Sequence, residues 1–214
     1  MNSLAEWFYP AKCALCGNFD PEPLCPVCLS RYRRVEPSTY AGTPPLTAEA
    51  ALFRYEGRAA QAVQRLKYER VTAHAAQMAS QMATHARDLG LDSLDAVVPV
   101  PIHWTRLNWR GFNQAELLAE AMPRVQPWLT RIRRTRPQVG LSPDERQSNL
   151  IGAFRADPAV LGKSILLVDD VRTSGGTACE CARALCEAGA AEVVLLTYAA
   201  GASASDQWEE PGTP

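Results

Sequence analysis

Lysine is scarce in this chain of 214 residues, and arginine supplies most of its 22 basic side chains. The formal net charge is −1, so no overall positive charge draws the chain to nucleic acid or to an acidic membrane surface. No apolar run approaches the roughly 18 residues that would span a bilayer. The first residues, "MNSLAEWFYPAKC", lack the basic and apolar regions of a signal peptide. We therefore expect a cytoplasmic protein without membrane insertion, whose contacts with polyanions depend on local patches.

Disulfides are not expected in a reducing compartment, so the seven cysteines require another explanation. Four of them lie in "CALCGNFDPEPLCPVC", as two C-x-x-C pairs with eight residues between the pairs. Each pair can present two thiolates to one tetrahedral Zn²⁺, and four cysteines leave no open position for catalysis. Cys13, Cys16, Cys25 and Cys28 therefore predict a structural zinc site, with a redox pair as the weaker alternative.

The zinc site predicts a small N-terminal module over residues 1–42, which is too short to hold a core of its own. On this interpretation, replacement of Cys13 by Ser unfolds about the first 40 residues and leaves the remainder folded. Arg31, Arg33 and Arg34 follow the last cysteine of the module and form either a basic patch or an ordinary solvated turn. Residues 43–50 have the composition of a linker.

Strand and helix patterns alternate through the rest of the chain. Strands are predicted at 50–57, 95–101, 164–170 and 192–199, and helices within 58–89, at 113–122 and at 175–189. The strands are uniformly apolar, as in a parallel sheet that is covered on both faces. We therefore predict an α/β fold, with a mainly parallel sheet flanked by helices over residues 43–200 and a disordered polar tail over residues 201–214.

The stretch "ILLVDDVRTSGGTA" joins a predicted strand to a helix and carries the clearest chemistry. Backbone N–H groups of the loop and of the helix N-terminus form an anion cradle, and small residues let the backbone approach a phosphate. The cradle residues are Thr173, Ser174, Gly175, Gly176 and Thr177. No lysine follows the glycines, so the stretch is not a Walker A motif.

Asp169 and Asp170 precede the cradle at the carboxyl end of the strand, where ligands bind in parallel sheets. Ionised carboxylates accept hydrogen bonds, and the vicinal hydroxyls of ribose lie one sugar length from its 5-phosphate. The stretch therefore predicts a site for ribose 5-phosphate in which both acids are ionised. An acidic turn that merely caps the helix is the alternative.

This stretch resembles the 5-phosphoribosyl-1-pyrophosphate (PRPP) motif of type I phosphoribosyltransferases. Two further stretches, "VVPVPIHWTRLNWRGFNQAELLA" and "TRPQVGLSPDERQSNLIGAF", are similar, together with the four-cysteine module, to the bacterial ComF competence family, also called GntX-like. The resemblance implies a type I phosphoribosyltransferase-like domain behind a small zinc ribbon or knuckle. It also implies that PRPP binds with Mg²⁺, and that the protein acts in DNA uptake or in nucleotide metabolism.

Applied to this chain, the resemblance implies that Asp169 and Asp170 bind the ribose hydroxyls and that the cradle binds the 5-phosphate. It places Val100 and Pro101 in a loop around the pyrophosphate. Arg110 follows closely and would reach the pyrophosphate or a protein partner.

Arg106, Asn113 and Gln114 are further candidates beside this loop, with helix capping by Asn113 as the alternative. The resemblance also implies a loop that covers the site, within residues 131–149, in which Arg134 would act in catalysis. A solvated basic loop is the alternative for this segment.

The reaction implied by the resemblance displaces pyrophosphate from the anomeric carbon of ribose. Asp169 and Asp170 would stabilise the positive charge on the sugar, while Mg²⁺ and Arg134 would stabilise the charge on the pyrophosphate. The sequence carries no recognisable signature for an acceptor. Two hypotheses therefore remain open: a phosphoribosyltransferase with an unidentified acceptor, or a non-catalytic nucleotide-sensing adaptor that contacts single-stranded DNA or a helicase-like ATPase.

Overall fold

A computed structural model describes residues 11–133 and 149–201 of the chain. The elements in chain order are α1 (Pro26–Leu29), β1 (Tyr40–Ala41), β2 (Ala48–Arg54), α2 (Gly57–Gln64), α3 (Ala75–Asp88), β3 (Ala96–Pro99), α4 (Trp104–Arg110), α5 (Gln114–Ala119), β4 (Leu129–Arg131), β5 (Phe154–Ala156), β6 (Ser164–Arg172), α6 (Gly176–Glu187) and β7 (Glu192–Ala200). A π-helical turn, Arg65–Glu69, continues α2 directly.

Five of these strands form one sheet in the order β1-β2-β7-β6-β3. β1 pairs antiparallel with β2, whereas the three remaining pairings are parallel. β4 and β5 form a separate antiparallel pair. The arrangement confirms the predicted α/β fold with a mainly parallel sheet.

Helices cover both faces of the sheet because successive side chains of each strand point to opposite sides. Leu166 and Val168 of β6 pack against α2, α3 and α5. Ile165 and Leu167 of the same strand pack on the other face, against α6 and the β4–β5 pair. All four side chains are fully buried, which explains the unbroken apolar run in this part of the sequence.

The four-cysteine segment packs into the first of these two cores. Leu15 and Leu24 are buried in the same cluster as the apolar residues of α2 and α3. The side-chain amide of Gln77 in α3 donates to the carbonyl of Leu24 and accepts from its N–H, at 3.1 and 2.7 Å. These contacts make the apolar side chains of the segment part of the main core. The expectation that the segment unfolds separately stays a prediction. The proposed division at residue 42 stays a prediction.

Several predicted elements differ from the structure at their ends. The linker predicted at 43–50 is wrong from Ala48 onward, where β2 begins. The helical region predicted within 58–89 consists of α2 and its π turn, followed by α3. Asn113 caps α5 by accepting a hydrogen bond from the N–H of Ala115 at 3.1 Å, which confirms the capping alternative. Within the described ranges, no helix combines the length and the apolar character needed to cross a bilayer.

Candidate functional site

A cavity of about 700 Å³ opens at the carboxyl edge of the parallel sheet. Residues that follow β2 and β3 line it on one side, and the last part of β6 with the loop before α6 lines it on the other. The cavity contains nearly all of the candidate residues that lie within the described ranges: Val100, Pro101, Arg106, Arg110, Gln114, Asp169, Asp170, Thr173, Ser174, Gly175, Gly176 and Thr177. The topology thus brings together two stretches that lie far apart in the sequence.

The loop between β6 and α6 has the backbone expected of an anion cradle. Gly175 occupies the N-cap position of α6 in the left-handed conformation, with φ of 76°. Because the N-cap residue is a glycine, no side chain there competes with an anion for the first N–H groups of the helix. A Cβ atom at Gly175 would lie 3.4 Å from the guanidinium of Arg172, so this position is crowded as well as conformationally special.

The two acids lie within β6 rather than after it, and they differ in environment. Asp170 is 2% exposed, whereas Asp169 is partly exposed to the cavity. The Oδ1 atom of Asp169 accepts a hydrogen bond from the backbone N–H of Asp170 at 2.8 Å. The Oδ2 atom of Asp170 is buried and has no hydrogen-bond partner among residues 11–133 and 149–201. Such an atom is unfavourable unless a water molecule or a ligand donates to it.

The close approach of the two carboxylates affects their ionisation. Burial, together with the adjacent charge of Asp170, raises the pKa of Asp169 to about 8. The raised pKa favours the protonated form of Asp169 in the ligand-free chain. The expectation that both acids are ionised beside solvent and a Mg²⁺-bound ligand stays a prediction. Lys67 compensates part of the negative charge, because its Nζ lies 2.8 Å from the Oδ1 atom of Asp170.

Arginines approach the cavity from two further elements. Arg110 is buried at the end of α4, where it donates to the side chain of Gln114 and lies 6.0 Å above the ring of Tyr68. Arg131 reaches the cavity from β4. Burial lowers the pKa of both guanidinium groups, although at neutral pH an arginine stays charged.

Arg134, the predicted catalytic arginine, lies outside the described residues, as does most of the predicted covering loop. The two ends of that segment are nevertheless fixed to each other. The guanidinium of Arg133 donates to the carbonyls of Asn149 and Ile151, at 3.1 and 2.6 Å. This contact places both ends of the segment beside the hairpin strands β4 and β5.

Lys67, Tyr68 and Trp109 are among the cavity residues that sequence analysis missed. Lys67 carries a usable signal, since it is one of three lysines and stands between apolar Leu66 and Tyr68 within a helical pattern. The two aromatic residues carry none, because an exposed aromatic side chain in a short helix has no distinctive spacing.

The four predicted zinc ligands form one compact cluster. The Sγ atoms of Cys13, Cys16, Cys25 and Cys28 all lie within 4.8 Å of one another. The backbone N–H groups of Leu15 and Cys25 donate to the Sγ of Cys13, each at 3.4 Å. Although burial opposes ionisation, backbone hydrogen bonds lower the pKa of Cys13 to about 6. The cluster therefore fits a tetrahedral ion that binds thiolates, which is consistent with structural zinc.

The basic residues after the cysteines are engaged at the surface. Arg33 forms an exposed ion pair with Glu56 at 3.3 Å. The guanidinium of Arg34 lies 5.6 Å from the ring centre of Phe53.

Comparison with known proteins gives matches of three kinds. Residues 110–211 match the phosphoribosyl transferase domain family. DNA utilization protein YhgH of Salmonella typhimurium is 33% identical over 212 residues, which cover 89% of each chain. Competence protein F of Haemophilus influenzae is 33% identical over 46% of this chain and 47% of its own. Glutamine PRPP amidotransferase from B. subtilis matches 57% of this chain and 26% of its own with a TM-score of 0.39 and 25% identity, a likeness too distant to support a functional argument.

Proposed function

The chain belongs to the ComF-like family that includes the DNA utilization protein YhgH and the competence proteins, and we propose on this basis that its cavity binds PRPP or another ribose 5-phosphate compound together with Mg²⁺. We further propose that this binding serves the use of external DNA by the cell. One observation carries the proposal: the acidic pair at the end of β6 and the anion cradle in the loop that follows it both line the same cavity.

The charges around the cavity favour an anionic sugar phosphate. Five cationic side chains line the cavity, and all but Arg172, which is paired with Glu49, are available to balance the two acids and a ligand: Lys67, Arg106, Arg110, Arg131 and Arg172. The cradle binds one phosphate of the ligand, and the arginines bind the further negative charge at the other end of the ligand. The unpartnered Oδ2 atom of Asp170 supplies an acceptor for a sugar hydroxyl.

The chemistry proposed for the site is displacement of pyrophosphate at the anomeric carbon. The bond from this carbon to the pyrophosphate oxygen breaks with its electron pair leaving on the oxygen, and a new bond forms to the acceptor. Asp169 and Asp170 stabilise the positive charge that develops on the sugar. Arg106, Arg110 and, from the covering loop, Arg134 stabilise the departing pyrophosphate, whose charge Mg²⁺ also neutralises when it is bound. The proposal assigns no particular acceptor molecule.

A second candidate function is that of an adaptor that binds single-stranded DNA. The surface at the mouth of the cavity favours it, because exposed aromatic rings alternate there with arginines. Trp109 and Tyr68, which line the cavity, are 53% and 64% exposed, and the guanidinium of Arg70 lies 5.0 Å from the ring centre of Trp109. Bases stack on such rings without regard to sequence, while cations bind the phosphates. A helicase-like ATPase as partner stays a prediction without a surface assigned to it.

Isothermal calorimetry with PRPP and Mg²⁺ tests the first candidate. We expect the double variant Asp169→Asn, Asp170→Asn to fold and to lose most of the affinity, because the hydroxyl acceptors lose their charge. Ser174→Glu should lose it by repulsion within the cradle. Asp95→Asn is the matched control, since this aspartate is exposed at the opposite end of the sheet. An unchanged dissociation constant in both site variants would refute the ribose-phosphate site.

Two further measurements separate the candidates. Release of pyrophosphate from PRPP in a screen of bases and nucleosides would identify a transferase. Fluorescence anisotropy with single-stranded oligonucleotides tests the adaptor: Trp109→Ala should weaken binding about tenfold, as expected for the loss of one stacked base. Phe19→Ala serves as control because Phe19 is also an exposed aromatic residue, at 68%, but lies on the four-cysteine segment. If Trp109→Ala and Phe19→Ala bind the oligonucleotide equally well, the surface at the cavity mouth is not the one that binds single-stranded DNA.

A further inference from the structure

Lys67 reaches the acidic pair from an irregular turn of helix. The turn, Arg65–Glu69, has π-helical hydrogen bonding and ends at Arg70 in the left-handed conformation, with φ of 57°. Its one fully buried side chain is Leu66, which anchors the turn in the core. Single π turns of this kind occur frequently at functional sites, because the extra residue redirects the side chains that follow. Here the turn directs Lys67 into the cavity.

The contact between Lys67 and Asp170 uses one oxygen of the carboxylate. The Nζ atom lies 2.8 Å from Oδ1, and both side chains are largely buried, at 19% and 2% exposure. The other oxygen, Oδ2, has no partner within the described part of the chain. The ion pair therefore fixes the orientation of the carboxylate by one oxygen and leaves the second, buried oxygen without a donor.

Several other groups act electrostatically on this cluster. Arg110 of α4 acts on Asp170, Arg131 of β4 and Cys181 of α6 act on Asp169, and Tyr68 of the π turn acts on Lys67. Among the ion pairs of the described residues, that of Lys67 is the one made with either acid. Burial by itself would lower the pKa of Lys67, but the charges of Asp170 and Asp169 raise it above its ordinary value, so the lysine is charged. Its charge in turn opposes the effects that raise the pKa of Asp169.

We propose that Lys67 is a positioning residue of this site, which orients Asp170 and favours the ionised form of the acidic pair that accepts the ribose hydroxyls. The inference rests on the proposed function, since it assigns the lysine a role toward the same ligand. A lysine that only stabilised the fold would not control the pH at which the acids accept a ligand. Two measurements separate these roles, and the first needs no ligand.

Carbon-13 NMR of the aspartate carboxyl groups follows the titration of Asp169 in the ligand-free protein. We expect Asp169 to titrate at a higher pH in Lys67→Met than in the wild type, because the nearest positive charge is removed. Lys67→Arg should restore the wild-type titration. Lys163→Met is the matched control, since Lys163 also pairs with an aspartate, Asp95, at 3.9 Å, but away from the cavity. An unchanged titration of Asp169 in Lys67→Met overturns the proposal, whatever the ligand is.

Calorimetry with ribose 5-phosphate provides the second measurement. At pH 7.5, we expect Lys67→Met to bind about tenfold more weakly than the wild type, the loss expected for one charge-assisted hydrogen bond. The deficit should shrink at pH 9, where the acids ionise without the lysine. A deficit of equal size at both pH values overturns the proposal, because it would mean that Lys67 contacts the ligand directly. If the wild type itself does not bind ribose 5-phosphate, the proposed function fails, and the NMR titration still decides the role of Lys67.

Discussion

The guanidinium of Arg172 and the carboxylate of Glu49 form a buried ion pair across the width of three strands. Glu49 lies on β2 and Arg172 on β6, with β7 between them, and the side chains are 1% and 6% exposed. Arg172 donates to both carboxylate oxygens, and its Nη2 atom also donates to the hydroxyl of Thr43 at 3.0 Å. The same guanidinium lies next to Gly175, since a Cβ atom there would be 3.4 Å away from it. The ion pair therefore fixes a side chain that is adjacent to the anion cradle.

We expect Glu49→Gln to destabilise the protein by about 3–5 kcal/mol, because it leaves a buried guanidinium without its counter-charge. Urea unfolding measures the change in the free energy of unfolding. Glu187→Gln is the control: Glu187 also pairs with an arginine, Arg183, but it is exposed, and its loss should cost less than about 1 kcal/mol. Equal effects of the two substitutions would show that the buried pair has no special role in stability.

Zinc removal should destabilise the whole chain rather than its first residues alone. Leu15, Leu24 and Cys28 belong to the core that α2 and α3 form with the sheet. We expect elemental analysis to find one Zn²⁺ per chain, and Cys13→Ser or a strong chelator to lower the midpoint of a single unfolding transition. Thermal unfolding followed by circular dichroism and by tryptophan fluorescence checks this.

The control for zinc removal is Cys186→Ser, since Cys186 is partly buried on α6 and lies outside the cysteine cluster. It should keep the metal and most of the stability. Two separate transitions in Cys13→Ser, the later one at the wild-type midpoint, would support the expectation of an independent module.

The acids and the cradle could be predicted from the sequence because their chemistry is local. A buried strand, two carboxylates and a small-residue loop stand within fourteen letters, "ILLVDDVRTSGGTA", and the fold keeps this order. The partners of these residues could not be predicted in the same way. Lys67 pairs with Asp170, and Glu49 pairs with Arg172, although the partners lie far apart in the sequence. The fold brings them together, and no periodic pattern of residues predicts such contacts.

The error in the linker prediction has the same origin. Residues 43–50 contain two prolines, two threonines and a glutamate, which are typical of an exposed connector. Glu49 is nevertheless fully buried in a strand, because Arg172 supplies its counter-charge. Likewise, the segment of four cysteines looked separable, since sequence alone does not show that Gln77 binds its backbone.

Burial of Asp169 should make the stability of the ligand-free protein depend on pH. The pKa of Asp169 is about 8 in the folded chain, well above the ordinary aspartate value. Between these two values, the folded state holds a proton that the unfolded state has lost, so the free energy of unfolding decreases as the pH rises. We expect the stability of Asp169→Asn, measured relative to the wild type, to increase between pH 4 and pH 8.5.

Urea unfolding of both proteins across this pH range isolates the contribution of Asp169, because other titrating groups cancel in the difference. Asp95→Asn is the control, since Asp95 is an exposed aspartate at the opposite end of the sheet. Parallel profiles of Asp169→Asn and the wild type would show that Asp169 is ionised in the folded chain at neutral pH.

The left-handed glycine of the cradle allows stability to be separated from phosphate binding. Alanine in this conformation costs about 1–2 kcal/mol wherever it occurs. Gly175 and Gly162 have similar φ angles, 76° and 68°, but Gly162 precedes β6 at the far end of the sheet and has open space around it. Both Gly175→Ala and Gly162→Ala should therefore lower the free energy of unfolding by about this amount.

Affinity for a phosphate ligand should distinguish the two variants. A methyl group at Gly175 contacts the Arg172 guanidinium and disturbs the N–H groups that open α6, so we expect Gly175→Ala to bind PRPP at least about tenfold more weakly. Gly162→Ala should bind as the wild type does, because its strain lies outside the cavity. Calorimetry measures both dissociation constants. If the two variants lose stability equally and neither loses affinity, the loop before α6 does not hold the phosphate, and the anion must bind to the arginines alone.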